Sequence, residues 1–146
     1  MQYLIDGYYD GDDGHRNVAT AVVNACSQWM LIRWGGRKCL FTGDTMKRRA
    51  DLDGEAMDAM LARYGGEIGE VDILKWLHHG FKRDRAAAGM LSLCPRRVIV
   101  SHPDATAADA ARAYIAGHGG VMPEFINCAR RDVVIEIAAD GGVKVV

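Results

Sequence analysis

Adjacent histidines at positions 78 and 79, followed by Gly80, close the short apolar run LKWLHHG in a chain with only five histidines. Upstream, Thr42-Gly43-Asp44 closes a second apolar run, KCLF. A carboxylate and neutral imidazoles are hard-to-borderline donors, suited to zinc, manganese or ferrous iron. Each group stands just past a predicted strand, and rigid elements tend to aim the loop residues at their exits into one cleft. Gly43 and Gly80 would let the backbone approach a ligand closely and adopt positive φ. The competing reading is plain: Gly and Asp also mark ordinary turns, and a lone histidine is more often a satisfied surface or core residue than a ligand. Two adjacent imidazoles are harder to place that way, because neighbours on a chain point in different directions.

The elements that must position these groups follow from composition and periodicity. A short strand, Gln2 to Ile5, precedes GYYDGDDG (Gly7 to Gly14), whose glycines and aspartates favour turns. Residues 1–20 therefore read as a loop-rich lead-in to a single domain over 1–146. Ser27 to Trp34 and Lys38 to Asp44 are strand-like runs flanking Gly35-Gly36, a hairpin signal. In Asp53 to Gly65, apolar residues at 57, 60 and 61, extended by Ala56 and Tyr64, share one helical face, and Gly65 closes the helix. Val71 to Leu77 is too short for a helix and rich in apolar residues, so it reads as a strand. A short helix from Arg85 to Leu93 stops before Pro95, and Arg96 to Ser101 is another strand. A helix from Thr106 to Ala116 then precedes a terminal hairpin, Val133 to Ile137, ADGG and VKVV. Helices packed on a mixed sheet, an α/β fold, are the expected result.

Composition excludes several classes of function. The chain has 146 residues, 49% apolar and 25% charged, enough for one domain with a real core. A net charge of -1 offers no field for steering polyanions or anionic membrane, so nucleic acid is a possible partner that the charge does not indicate. Lys82, Arg83 and Arg85 beside the paired histidines could touch phosphates, although short basic clusters are usually solvated loop. No apolar run approaches the ~20 residues of a spanning helix, and the acidic N-terminus is unlike a signal peptide, so a cytoplasmic location is expected. The cysteines, at 26, 39, 94 and 128, lack the short spacing of a zinc ribbon or disulfide framework. Cys39 and Cys94 lie in apolar surroundings and read as small core residues. Nucleotide-binding glycine motifs are missing.

The order of the pieces resembles the C-terminal half of the metallo-β-lactamase superfamily, most nearly its ComEC-like branch. That branch has an Asn-x-x-Ser segment leading into a hairpin that ends in Thr-Gly-Asp, and a later strand ending in His-His-Gly. Asn24, Ser27, Thr42, Gly43, Asp44, His78, His79 and Gly80 match those positions, and the likeness runs from about Asn24 to the C-terminus. It implies a partial αββα sandwich, with metals at the open edge between sheets. Asp44 would bridge two metal ions, Zn2+ or Mn2+, as a ligand and catalytic group. His79 would bind one metal, and His78 would contact the substrate phosphate or donate a proton. A metal-dependent hydrolase of phosphodiesters or nucleic acids is the activity implied, its metals activating water near neutral pH.

The chain departs from the family in one decisive respect. His-x-His-x-Asp-His, the superfamily's main metal motif, is absent. By spacing alone, His15 falls near the family's next isolated metal histidine, but DGDDGHR does not otherwise match that site. Phe81 follows His-His-Gly where relatives commonly have Ser. His102, in SHPD, could line the cleft or serve as a turn residue before a helix, and His118 reads as the end of its helix. A catalytic zinc usually keeps three protein ligands, whereas Asp44 and His79 supply two. The dinuclear site would need completion by a complementary N-terminal half or by another copy. A missing half would also leave bare an apolar sheet face built from Met30, Ile32, Leu40, Ile73 and Leu77. The alternative is a non-catalytic, degenerate interaction subunit of the same fold.

Overall fold

A computed structural model describes residues 27–43, 53–76, 87–104, 106, 108–118, 120–129 and 132–146. Strands β1 (Met30–Trp34) and β2 (Arg37–Phe41) form an antiparallel hairpin. Gly35 and Gly36 both have positive φ in its turn, the conformation that a two-residue hairpin matching strand twist requires. Helix α1 (Asp53–Ile68), strand β3 (Ile73–Lys75), helix α2 (Ala87–Leu91), strand β4 (Arg97–Val100), helix α3 (Asp109–His118) and strand β5 (Glu124–Asn127) follow. The strands make one sheet in the order β1-β2-β3-β4-β5, parallel from β2 onward. A separate antiparallel hairpin joins β6 (Ile135–Ile137) to β7 (Val143–Val145).

Spatial order equals chain order, so each crossover steps the same way across the sheet. Crossovers are right-handed because of strand twist, and steps in one direction put their helices on one face. The core agrees. Leu40, Leu74 and Val98 share a register row, Val100 lies two residues on, and all are buried against Ile68 and Leu61 of α1 and Met90 of α2. Trp76 and Phe125 on that face meet edge-on with ring centroids 6.3 Å apart.

On the other face Cys39, Ile73 and Ile126 are also buried, while the edge strand leaves Met30, Ile32 and Trp34 41–59% exposed. The expected bare face is thus only partly realised. Leu40 belongs to the opposite, helix-covered side, Ile73 is 2% exposed, and Leu77 lies outside the described residues.

Asp72, at the mouth of β3, ties the strand starts together. Its carboxylate accepts from the Lys38 amide and from Arg37 Nη1, both at 3.0 Å, and its carbonyl accepts from the Arg97 amide at 2.9 Å. Arg37 Nε donates 2.7 Å to the Gly141 carbonyl, fastening the β6–β7 turn to the same point. Gly35 and Gly141 allow that approach: a Cβ on either would come within 2.5 Å of a carbonyl oxygen of the opposing turn.

Several boundaries differ from expectation. Helix α1 passes through Gly65 and Gly66 and stops at Gly69, which takes φ +61° and donates to the Gly65 carbonyl at 2.7 Å. Ile68 must reach the core, and Lys38 Nζ caps its carbonyl at 2.6 Å; these tertiary contacts outweigh the helix-breaking tendency of Gly65. Strand β5 was not expected at all. Cys94 is exposed rather than buried, at φ +47° just past α2. The proposed first strand and the 1–20 lead-in lie outside the described residues. Among the described residues, no helix is long and apolar enough to cross a membrane.

Leu74 is fully buried at the centre of the packed face. Leu74→Ala should cost about 2–5 kcal/mol of stability, read as a lowered urea midpoint.

Candidate functional site

Phe41 pairs with Lys75, and Lys75 pairs with Ile99, in parallel ladders. Thr42, Trp76 and Val100 therefore leave the sheet side by side, in the same direction, at one edge. Thr42 is fully buried, and its hydroxyl donates to the Lys75 carbonyl at 3.2 Å. In return Lys75 Nζ donates to the Gly43 carbonyl at 3.0 Å. These two bonds clasp the ends of β2 and β3. Trp76 continues the ladder by donating to the Ile99 carbonyl at 2.8 Å.

Gly43 turns the chain at φ +60°, a left-handed conformation disfavoured for residues with a Cβ. A Cβ there would also stand 3.0 Å from Ser27 Cβ and 3.2 Å from Ser27 Oγ. Ser27 and the Thr42-Gly43 turn, two pieces singled out in the sequence, are thus in close contact. Asp44, His78, His79 and Gly80 lie outside the described residues, as do Asn24, His15, Phe81, Lys82, Arg83 and Arg85. What is described is the framework immediately ahead of them: Gly43 precedes Asp44 directly, and Trp76 stands two residues before His78.

His102 follows β4 at the same edge. Its Nδ1 accepts from the Asp104 amide at 2.9 Å. With Nδ1 accepting, a neutral ring carries its proton on Nε2, so that nitrogen donates rather than offering a lone pair to a metal. The bond to the backbone two residues on matches the turn reading of His102. Asp104 Oδ1 then accepts from the amide and hydroxyl of Thr106 at 2.9 and 2.8 Å. Its carbonyl accepts from Asn127 Nδ2 at 3.2 Å, joining the exits of β4 and β5. His118 is the last residue of α3, at the helix end as expected.

Burial, followed by the charge of Asp132, raises the Cys128 thiol pKa, and burial followed by Asp72 raises that of Cys39. Both thiols stay protonated near neutrality, which suits neither nucleophile nor metal ligand. Among the described residues no three His, Cys, Asp or Glu side chains are grouped so as to hold a metal.

Sequence reasoning passed over Lys75 and Asn127. The one signal for Lys75 was a cation inside the apolar run ILKWL. Asn127 carried none, because its strand went unrecognised. No family model matches the chain, and neither does any curated protein or solved structure.

Gly43→Ala adds an unfavourable φ to a contact with Ser27, and a loss of about 2 kcal/mol is expected in denaturant unfolding. Ser27→Gly in the same chain should recover only part of the loss, since it relieves the crowding and not the backbone strain. The exposed Cys94 should react with a thiol reagent at neutral pH well before Cys39, whose reaction should rise at higher pH than an ordinary thiol's; mass spectrometry of labelled peptides would rank them.

Proposed function

We propose that this chain forms the C-terminal half of a metallo-β-lactamase-like αββα sandwich of the ComEC-like branch. On that reading it contributes to metal-dependent hydrolysis of a phosphodiester, with nucleic acid a candidate substrate. The observation that supports it is the paired exit of β2 and β3. Two parallel strands in register end together, β2 at Phe41 shortly before Asp44 and β3 at Lys75 shortly before His78-His79. The packing of Ser27 on Gly43 adds to it, because two separate parts of the motif set meet.

Asp44 and His79 would hold the metal, and one carboxylate with one imidazole suits Zn2+ or Mn2+. The metal's contribution is Lewis-acid charge and the activation of water. His78 would contact the substrate phosphate. Lys75 holds the Gly43 carbonyl and so fixes the turn that carries Asp44. Two ligands fall short of the usual three, so a partner, whether a complementary segment or another copy, is expected to complete the cleft. The exposed row Met30, Ile32 and Trp34 on the edge strand is the surface such a partner, a complementary half or another copy, would cover. That same row favours the second reading, a non-catalytic interaction subunit of this fold.

Calorimetry on metal-stripped protein separates the two. The hydrolase reading expects weak zinc or manganese binding, lowered roughly tenfold or more by either Asp44→Ala or His79→Ala. Metal binding untouched by both substitutions would leave only the interaction reading.

A further inference from the structure

The opposite edge of the sheet carries a second concentration of charge. A cavity of about 280 Å³ opens where β2, β3, β4 and β5 begin, lined by Arg37, Asp72, Arg96, Arg97, Glu124 and the β6–β7 turn at Gly141. Asp72 and Trp76 flank β3 and are four residues apart, so the two ends lie about 13 Å from each other. We infer that this cleft is a binding site for a phosphate group, distinct from the strand ends at Thr42 and Trp76 and independent of the hydrolase reading.

The cleft holds a surplus of hydrogen-bond donors. Three guanidiniums offer about fifteen N–H groups, yet few are engaged among the described residues. Arg37 uses Nε on the Gly141 carbonyl and Nη1 on Asp72. Arg97 is held side-on, its Nε 2.8 Å from Glu124 Oε2, which leaves its terminal fork uncommitted. Among the described residues Arg96 has only an ion pair, with Nε 3.7 Å from Asp72 Oδ1, beyond hydrogen-bond reach, and its side chain is 68% exposed.

The carboxylates do not cancel this surplus. Both Asp72 oxygens are already engaged, by Arg37 and by the Lys38 amide, and Glu124 Oε2 is taken by Arg97. Three cations against two anions leave the cleft one positive charge. Planar forks with free N–H pairs match phosphate oxygens in bidentate fashion. The volume far exceeds the roughly 30 Å³ share of one water, so an organic group attached to the phosphate has room as well. Arg37 is primarily the structural tie between Asp72 and Gly141. Arg96 and Arg97 are the residues free to bind.

Calorimetric titration of the whole, metal-stripped chain with inorganic phosphate and with phenyl phosphate tests this, against sodium chloride at equal ionic strength. Saturable binding of either is expected, weakened roughly fivefold or more by Arg96→Gln and by Arg97→Gln. Amide shifts at Gly141, Gly142 and Val143 in the unaltered protein should follow the same titration. Binding of phenyl phosphate alone would identify an ester as the ligand, and equal binding of both a site for the free ion. Absence of saturable binding at millimolar concentrations overturns the inference. So does affinity unchanged in both variants, or shifts confined to the other edge. Arg96 is exposed enough that its variant should fold even if Arg97→Gln does not.

Discussion

The parallel register between β2 and β3 governs everything placed around it. Side chains alternate along a strand, so a slip of one residue would turn either Leu40 or Leu74 out of the packed face and put Cys39 or Ile73 there instead. It would also separate Thr42 from the Lys75 carbonyl and Lys75 from the Gly43 carbonyl. The register is pinned at both ends, by that clasp at one edge and by Asp72 on the Lys38 amide at the other. Backbone geometry thereby decides which residues leave the sheet together.

One-directional winding has a second effect. With the helices on one face, the sheet's other side has to be covered by different means. The β6–β7 turn is tied in at one corner through Gly141. Along β1, the edge strand among the described residues, the apolar row stays exposed. Polar chemistry is divided between the two ends of the strands: guanidiniums and carboxylates where they begin, and hydroxyl, ammonium and imidazole groups where they finish.

The central βα succession was readable in the sequence because its signals are local. Gly35-Gly36 announces a tight hairpin, and the apolar spacing from Ala56 to Tyr64 announces α1. What was not readable depended on distant parts of the chain. Helix α1 outlasts Gly65 because Ile68 packs against the sheet and Lys38 caps its end. Glu124–Asn127 is a strand because β4 offers an open edge, whereas its own four residues hold only Phe125 and Ile126 as apolar signal. Cys94 looked like core from its neighbours in sequence, yet the left-handed turn after α2 points it outward. Ser27 packs on Gly43 in the fold, a contact that spacing along the sequence could not supply.

Because strand order in space repeats strand order along the chain, the sheet can be assembled in the direction of synthesis. Each strand joins an edge that already exists, and no early strand must wait for one not yet made. The exception is the bond from Arg37 to Gly141, which spans 104 residues. Formation of the five-stranded sheet can thus run ahead of the bracing of its β1–β2 hairpin by the β6–β7 turn.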